Sequence, residues 1–297
     1  MNEKSVIMFG GKGGVGKTTC AAATALHNAD NGRVTLAIST DPTPSLFNIF
    51  EIQSEQKRIK ATDNLWVSEL GADEVKEMWD REFGPQVYEV FSTLVSIGYE
   101  EFVDFITSIL PGLQEEFMVD YIRNLAESGM YDSIVWDTAP LGQTMQLLNM
   151  PEMLREHLRP APRIYSRLKL GSSTRRPIIK ILEEWSELSA KDIRFLRDKV
   201  EFNMVTIPEA LAVDQLDGVF AECERHGFEF STMIVNNVIK SPDSDFLRRK
   251  AGLQEAYLAK IRQKCAGLEM LEVPWFPYEV KGVDGLKELG GMLFAAV

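Results

Sequence analysis

Apolar and polar residues along this chain follow two different periods, and the switches between them mark out its elements. Short, nearly unbroken apolar runs occur from Val6 to Phe9, Val34 to Ser39, Leu65 to Leu70, Ser133 to Trp136, Phe202 to Ile207, Thr232 to Val238 and Leu268 to Val273. Runs of this length, rich in β-branched residues and apolar on both faces, suit parallel strands covered on both sides. Between them lie stretches with helical character: Cys20 to Ala29, Glu209 to His226, Asp245 to Ala266, and from Val283 onward. Strands alternating with helices predict an α/β fold with a doubly wound, mostly parallel sheet.

The alternation is interrupted in the middle of the chain. From Ala72 to Gly129 the pattern is mainly helical. Val87, Val90, Phe91 and Leu94 recur at helical spacing, as do Phe102, Phe105, Ile106 and Ile109, and Pro111-Gly112 breaks the run. Gln143 to Leu158 also reads as helix, ended by Pro160 and Pro162, and Ile178 to Arg197 as another. The expectation is one domain over 1–297, with a helical subdomain formed by about 72–129 and 147–199. A basic segment, from Arg155 through Arg159, Arg163, Arg167 and Lys169 to Arg176, stands out against the acidic remainder. It reads as a solvated stretch, or as a dock for an acidic partner or anionic lipid.

Composition narrows the partners. The 297 residues are 45% hydrophobic and 26% charged, ordinary for a globular core, and the net charge of -12 argues against a nucleic-acid partner. No apolar run is long enough to span a bilayer, and the first strand begins too early to leave room for a targeting peptide. The three cysteines, Cys20, Cys223 and Cys265, form no paired framework, which points to a reducing, cytoplasmic setting.

The chemistry starts where the first strand meets the first helix. VIMFGGKGGVGKTT contains Gly11, Lys12, Gly13, Gly14, Val15, Gly16, Lys17 and Thr18, a match to the phosphate-loop pattern G-x-x-x-x-G-K-[ST] in its strand-to-helix context, with Thr19 just behind. Glycines let backbone N–H groups turn inward onto an anion, and the helix amino end adds its positive pole. Lys17 is placed to reach β- and γ-phosphates and the Thr18 hydroxyl to ligate Mg2+. Asp41 follows the second strand and Asp137 ends another, where open α/β sheets gather ligand chemistry. An acid at the position of Asp137 suits a magnesium-supporting group, directly or through water.

Lys12 gives the loop the form K-G-G-x-G-K-T, which resembles the deviant Walker A motif of dimeric P-loop ATPases. Together, GGKGGVGKTT, STDPTPSLFNIF and DTAPLGQTMQLLNMP resemble the phosphate loop and two switches of the arsenical pump-driving ATPases and the tail-anchored protein targeting factors of the guided-entry pathway. The likeness continues through PGLQEEF, IPEALAVDQL, IVNNV and VPWFPYEVKGVDGL, and so covers nearly the whole chain. The resemblance implies a homodimer that binds and hydrolyses ATP to ADP through its nucleotide site. Lys12 would cross to the partner's phosphates, Asp41 would orient the attacking water, and Asp137 would support magnesium. It further implies Asn236 against adenine, the loop from Pro274 to Pro277, with Pro274 and Phe276, on the other side of the base, and Glu209 at the partner's nucleotide.

Two departures qualify it. Pro44 in D-P-T-P-S should stiffen the first switch, and the segment from Ser241 to Arg249 lacks the C-x-x-C of zinc-stapled targeting factors, which argues against zinc. The readings of function therefore stay plural. One is a factor that holds or targets apolar membrane-protein segments, suited by 12 methionines, with Met145, Met150 and Met153 after the second switch. Another is the ATPase subunit of an arsenite or antimonite pump with a membrane partner. A third is a regulatory or metal-insertion ATPase of the Min and Par kind.

Overall fold

The computed structural model describes residues 4–41, 44–92, 97–109, 113–138, 156, 159–160 and 172–295. The chain divides into two compact units: 1–70 with 125–145 and 197–297, and 71–124 with 146–196.

The first unit is the α/β half. Its strands are β1 (Val6–Gly11), β2 (Thr35–Ser39), β3 (Arg58–Lys60), β4 (Leu65–Glu69), β5 (Ser133–Asp137), β6 (Val200–Thr206), β7 (Phe230–Val238) and β8 (Glu269–Pro274). They form one sheet in the order β3-β4-β2-β5-β1-β6-β7-β8. All neighbouring pairs are parallel except β3 with β4. The mostly parallel sheet expected from the apolar runs is present. The antiparallel edge strand β3 was not foreseen: three residues, R-I-K, are too few to show a period, and their charges suit an exposed edge.

Helix α1 (Lys17–Asp30) follows the glycine loop, and its alanines pack beneath α10 (Gly282–Leu293), whose Leu286, Leu289 and Leu293 are buried. The short α2 (Leu46–Ile49) follows β2. The helix read from Glu209 to His226 is two: α7 (Ala210–Asp214) and α8 (Leu216–His226), separated at Gln215, where a new run of hydrogen bonds begins with Val219 N–H to Gln215 C=O. Helix α9 (Asp245–Lys264) is capped by Ser244, whose hydroxyl accepts from Leu247 N–H.

The second unit is helical, with most of α3 (Ala72–Ser92), α4 (Tyr99–Ile109), α5 (Leu113–Glu127) and α6 (Ser172–Lys199). Phe102 of the predicted stripe is fully buried, and Tyr88 and Tyr99 pack against it. Arg123 on α5 is buried between Asp120 and Asp192, bonding Asp192 on α6 at 2.5 Å and also contacting Asp120. No described helix is long and apolar enough to cross a membrane. Pro42, Thr43, the Pro111-Gly112 break, the second switch beyond Thr138, the helix expected at 143–158 and its three methionines, and most of the basic segment lie outside the described residues.

Candidate functional site

The site grows from the carboxyl ends of β1, β2 and β5, which lie side by side in the sheet. Strand β1 ends at Gly11, where φ is +155° and a Cβ would stand 2.3 Å from the Val205 carbonyl of β6. Only glycine lets the chain leave the sheet so close to its neighbour. Gly16 then takes φ +97° and becomes the residue before α1; a Cβ there would meet the Asn236 amide at 2.3 Å. Helix α1 has no acidic residue in its first turn and no side-chain cap, so its positive end is left to an outside anion.

Lys17 and Thr18 open that helix. Lys17 is 6% exposed, and its ammonium donates to the Lys12 carbonyl at 3.3 Å, curling the loop back on itself. Burial lowers its pKa, opposed by the negative charges of Asp137 and Asp41. Thr18 Oγ1 donates to Asp137 Oδ2 at 3.0 Å, and Ser39 Oγ at the end of β2 donates to the same oxygen at 3.1 Å. The Asp137 carboxyl is 1% exposed, and its other oxygen, Oδ1, has no hydrogen-bond partner among the described residues. Burial pushes its pKa up to about 6, against the pull of Thr18, Ser39 and Lys17. A buried acid with one oxygen held by two hydroxyls and the other unpartnered carries a charge that the chain's own hydrogen bonds only partly satisfy.

Asp41 is half-buried just beyond β2, and its backbone N–H reaches Ser39 Oγ at 3.4 Å. Ser39 thus sits between Asp137 and the start of the first switch. The segment expected to be the first switch is further tied down by Thr40, whose N–H donates to the Asp137 carbonyl while its hydroxyl accepts from Trp136 Nε1 at 2.9 Å. Ser45 Oγ approaches Thr18 Oγ1 at 3.5 Å. Neither serine was singled out from the sequence. The available signal was the hydroxyl two residues ahead of a strand-end Asp, a weak one without knowing which strands are neighbours.

The other predicted residues fall around this centre. Lys12 is half-buried in the loop, with Gly13 and Gly14 exposed beside it. Asn236 Nδ2 donates to the Val15 carbonyl at 2.9 Å, tying β7 to the loop. It lines a pocket of about 160 Å³ with Thr19, Trp275, Phe276 and Tyr278, so the structure brings Asn236 and Phe276 to one cavity. Pro274 only ends β8; Trp275 and Phe276 supply that wall. A register break between Val235 and Val238, with Asn237 at φ +58°, turns the chain here. Glu209 is exposed ahead of α7, beyond the strand that flanks β1.

Among the described residues no group of three or more His, Cys, Asp or Glu is placed to hold a metal. The oxygen pair of Thr18 and Asp137 is a hard donor set that suits magnesium completed by phosphate and water oxygens. The three cysteines are buried, and burial pushes their thiols up to about 12, 12 and 11 for Cys20, Cys223 and Cys265. Such thiols are poor thiolate ligands.

Comparison with known proteins gives the chain a family. The family model described as anion-transporting ATPase matches residues 4–295. A protein of Aquifex aeolicus named as an arsenical pump-driving ATPase is similar at 31% identity, covering 97% of this chain and 98% of its own. The ATPase GET3C of Arabidopsis thaliana is 26% identical over 99% of this chain and 83% of its own. A further protein named as an arsenical pump-driving ATPase, from Chlorobaculum tepidum, is 27% identical over 95% of this chain and 73% of its own.

Proposed function

Since the chain belongs to the anion-transporting ATPase family, we propose that it is a magnesium-dependent ATPase acting as a homodimer, whose cycle drives the helical unit to hold and release apolar membrane-protein segments. The observation that carries the catalytic part is the convergence of Thr18 and Ser39 on one Asp137 oxygen, with the buried Lys17 acting on the same carboxylate.

In this reading the N–H groups of Gly13 to Thr19 cradle the phosphates and Lys17 neutralises the β- and γ-oxygens. Magnesium, held by Thr18 and supported by Asp137, would offset charge on the departing phosphate. Ser39 fixes Asp137 and the amide of Asp41 together, so the Asp41 carboxylate is positioned to orient the attacking water. Lys12 of each subunit reaches the other's nucleotide, where a cation supplied in trans is typically worth roughly 10³–10⁵ in rate. Asn236 accepts the adenine amino group with Phe276 beside it, and Glu209 contacts the partner's nucleotide.

The client assignment draws on 12 methionines in the chain and on a relative named GET3C. The pump reading has the names of two relatives in its favour, but a thiolate metalloid site is disfavoured by three buried, protonated thiols. Asp41→Asn tests the mechanism: ATP binding by calorimetry should persist while turnover falls at least a thousandfold. Full turnover in that variant would remove Asp41 from its role. Several-fold stimulation by arsenite would favour the pump. Sedimentation with a non-hydrolysable ATP analogue should show a dimer, and a monomer under those conditions would refute the shared site.

A further inference from the structure

Strand β7 loses its neighbours where it reaches the pocket. It pairs with β6 only as far as Val235, and its register with β8 shifts between Val235 and Val238. Asn236 and Asn237 therefore sit where the sheet supports the backbone least. Asn237 takes φ +58°, a conformation that residues with a side chain seldom hold unaided. Both asparagines line the pocket with Trp275 and Phe276.

The Asn236 amide has a fixed sense there. Its Nδ2 donates to the Val15 carbonyl at 2.9 Å, and a carbonyl can only accept. The amide oxygen is thus the end left for a ligand, and it suits a donor such as the exocyclic amino group of adenine. The exocyclic oxygen of guanine in that place would set acceptor against acceptor. There is no slack toward the loop, since a Cβ on Gly16 would stand 2.3 Å from the Asn236 nitrogen.

Gln254 supplies the support that the sheet does not. It is 5% exposed and is buried on α9 together with Leu258 and Ile261. An amide among such neighbours is costly to bury unless both its ends are bonded. Both are: Oε1 accepts from Ile239 N–H and Nε2 donates to the Asn237 carbonyl, each at 2.9 Å. A leucine would fill the same place without that cost, so what glutamine adds is its hold on two backbone groups. Gln254 is not among the described residues that line the pocket.

We propose that Gln254 is a positioning residue for the nucleobase. By fixing the backbone before and after Val238 it keeps the Asn236 oxygen turned to the base, and with it the preference for adenine. The phosphates are bound at the other end of the nucleotide, by the loop and Lys17, so the effect of Gln254 is confined to the base. This inference rests on the reading of Asn236 as the adenine contact.

The test is calorimetric titration of the full chain with ATP, GTP and inorganic tripolyphosphate, each with excess Mg2+. Wild type should bind ATP more tightly than GTP. Gln254→Leu removes both bonds and keeps the buried face apolar. It should weaken ATP about tenfold and leave GTP and tripolyphosphate nearly unchanged, so the preference for ATP shrinks by the same factor. Gln254→Glu keeps the acceptor for Ile239 N–H but sets a carboxylate against the Asn237 carbonyl. It should lose the preference as well, which preserves the test if the leucine variant fails to fold. A lowered Tm with the ATP-to-GTP ratio of wild type would make Gln254 merely structural and overturn the proposal, as would an equal loss for all three ligands. A wild type that binds tripolyphosphate without preferring ATP to GTP would remove the Asn236 reading, and this inference with it.

Discussion

Two buried charge clusters, one in each unit, are handled in opposite ways. In the helical unit Arg123 lies between Asp120 and Asp192, with Asn124 also bonded to Asp120, so cation and anions meet within the chain. Burial pushes the Asp120 pKa up, and Arg123 pulls it back. In the α/β unit Asp137 is just as buried, yet hydroxyls hold one of its oxygens and Oδ1 has no described partner. The first arrangement ties α5 to α6 by pairing opposite charges in direct contact. The second holds an anion by hydroxyls, with the Lys17 cation acting on it without an ion-pair contact. Buried charge by itself does not mark a site; whether its counter-charge is bonded to it within the chain separates the two.

That contrast can be broken by mutation. The largest effect should come from Lys17→Ala, which removes the buried cation facing the ligand and should cut ATP turnover by roughly 10³ or more. A turnover within tenfold of wild type would show that Lys17 balances Asp137 only structurally. Asp192→Ala, by contrast, removes the partner that ties Arg123 to α6, leaving it to Asp120, and should lower unfolding free energy by about 3 kcal/mol in urea. Turnover per folded molecule should change little. Replacing Arg123, Asp120 and Asp192 together by apolar residues of similar size should recover most of that stability.

Asp137→Asn separates the two clusters by pH. The folded pKa of Asp137, about 6, lies above its usual 3.8, so the folded state holds the extra proton between those values. Wild-type stability from this group therefore falls as pH rises from about 4 to 6 and stays low above that. The asparagine variant should be inactive yet more stable than wild type at pH 7.5, with the advantage vanishing near pH 4. An advantage that grows toward acid would reverse the assignment. Smallest is Ser39→Ala, which deletes one of the bonds that hold Asp137 ionised. It should move the acid limb of turnover upward by about one unit, with ATP affinity nearly unchanged. A drop in rate without movement of the limb would make Ser39 a packing residue.

Much of this molecule was legible in the order of its residues, for reasons that differ by region. The sheet could be read because parallel strands buried on both faces are apolar throughout, as in β2 and β5. Strand β3 could not, since an edge strand of three residues carries no period. The phosphate loop was readable because phosphate cradles need glycines and a lysine at fixed offsets. The partnership of Ser39 with Asp137 was not, since it joins residues 98 positions apart through strands that become neighbours only in the sheet. Tyr278 lay just beyond the loop read as the base contact and was not picked out, because pocket walls depend on where the β7 register breaks.

That register break has a reach of its own. Gln254, buried on α9, accepts from Ile239 N–H and donates to the Asn237 carbonyl, both at 2.9 Å. One side chain thus clasps the backbone on either side of Val238, next door to Asn236. Helix α9 becomes a handle on the angle at which that amide is offered, so the aim of Asn236 is set in part by a residue on a separate helix.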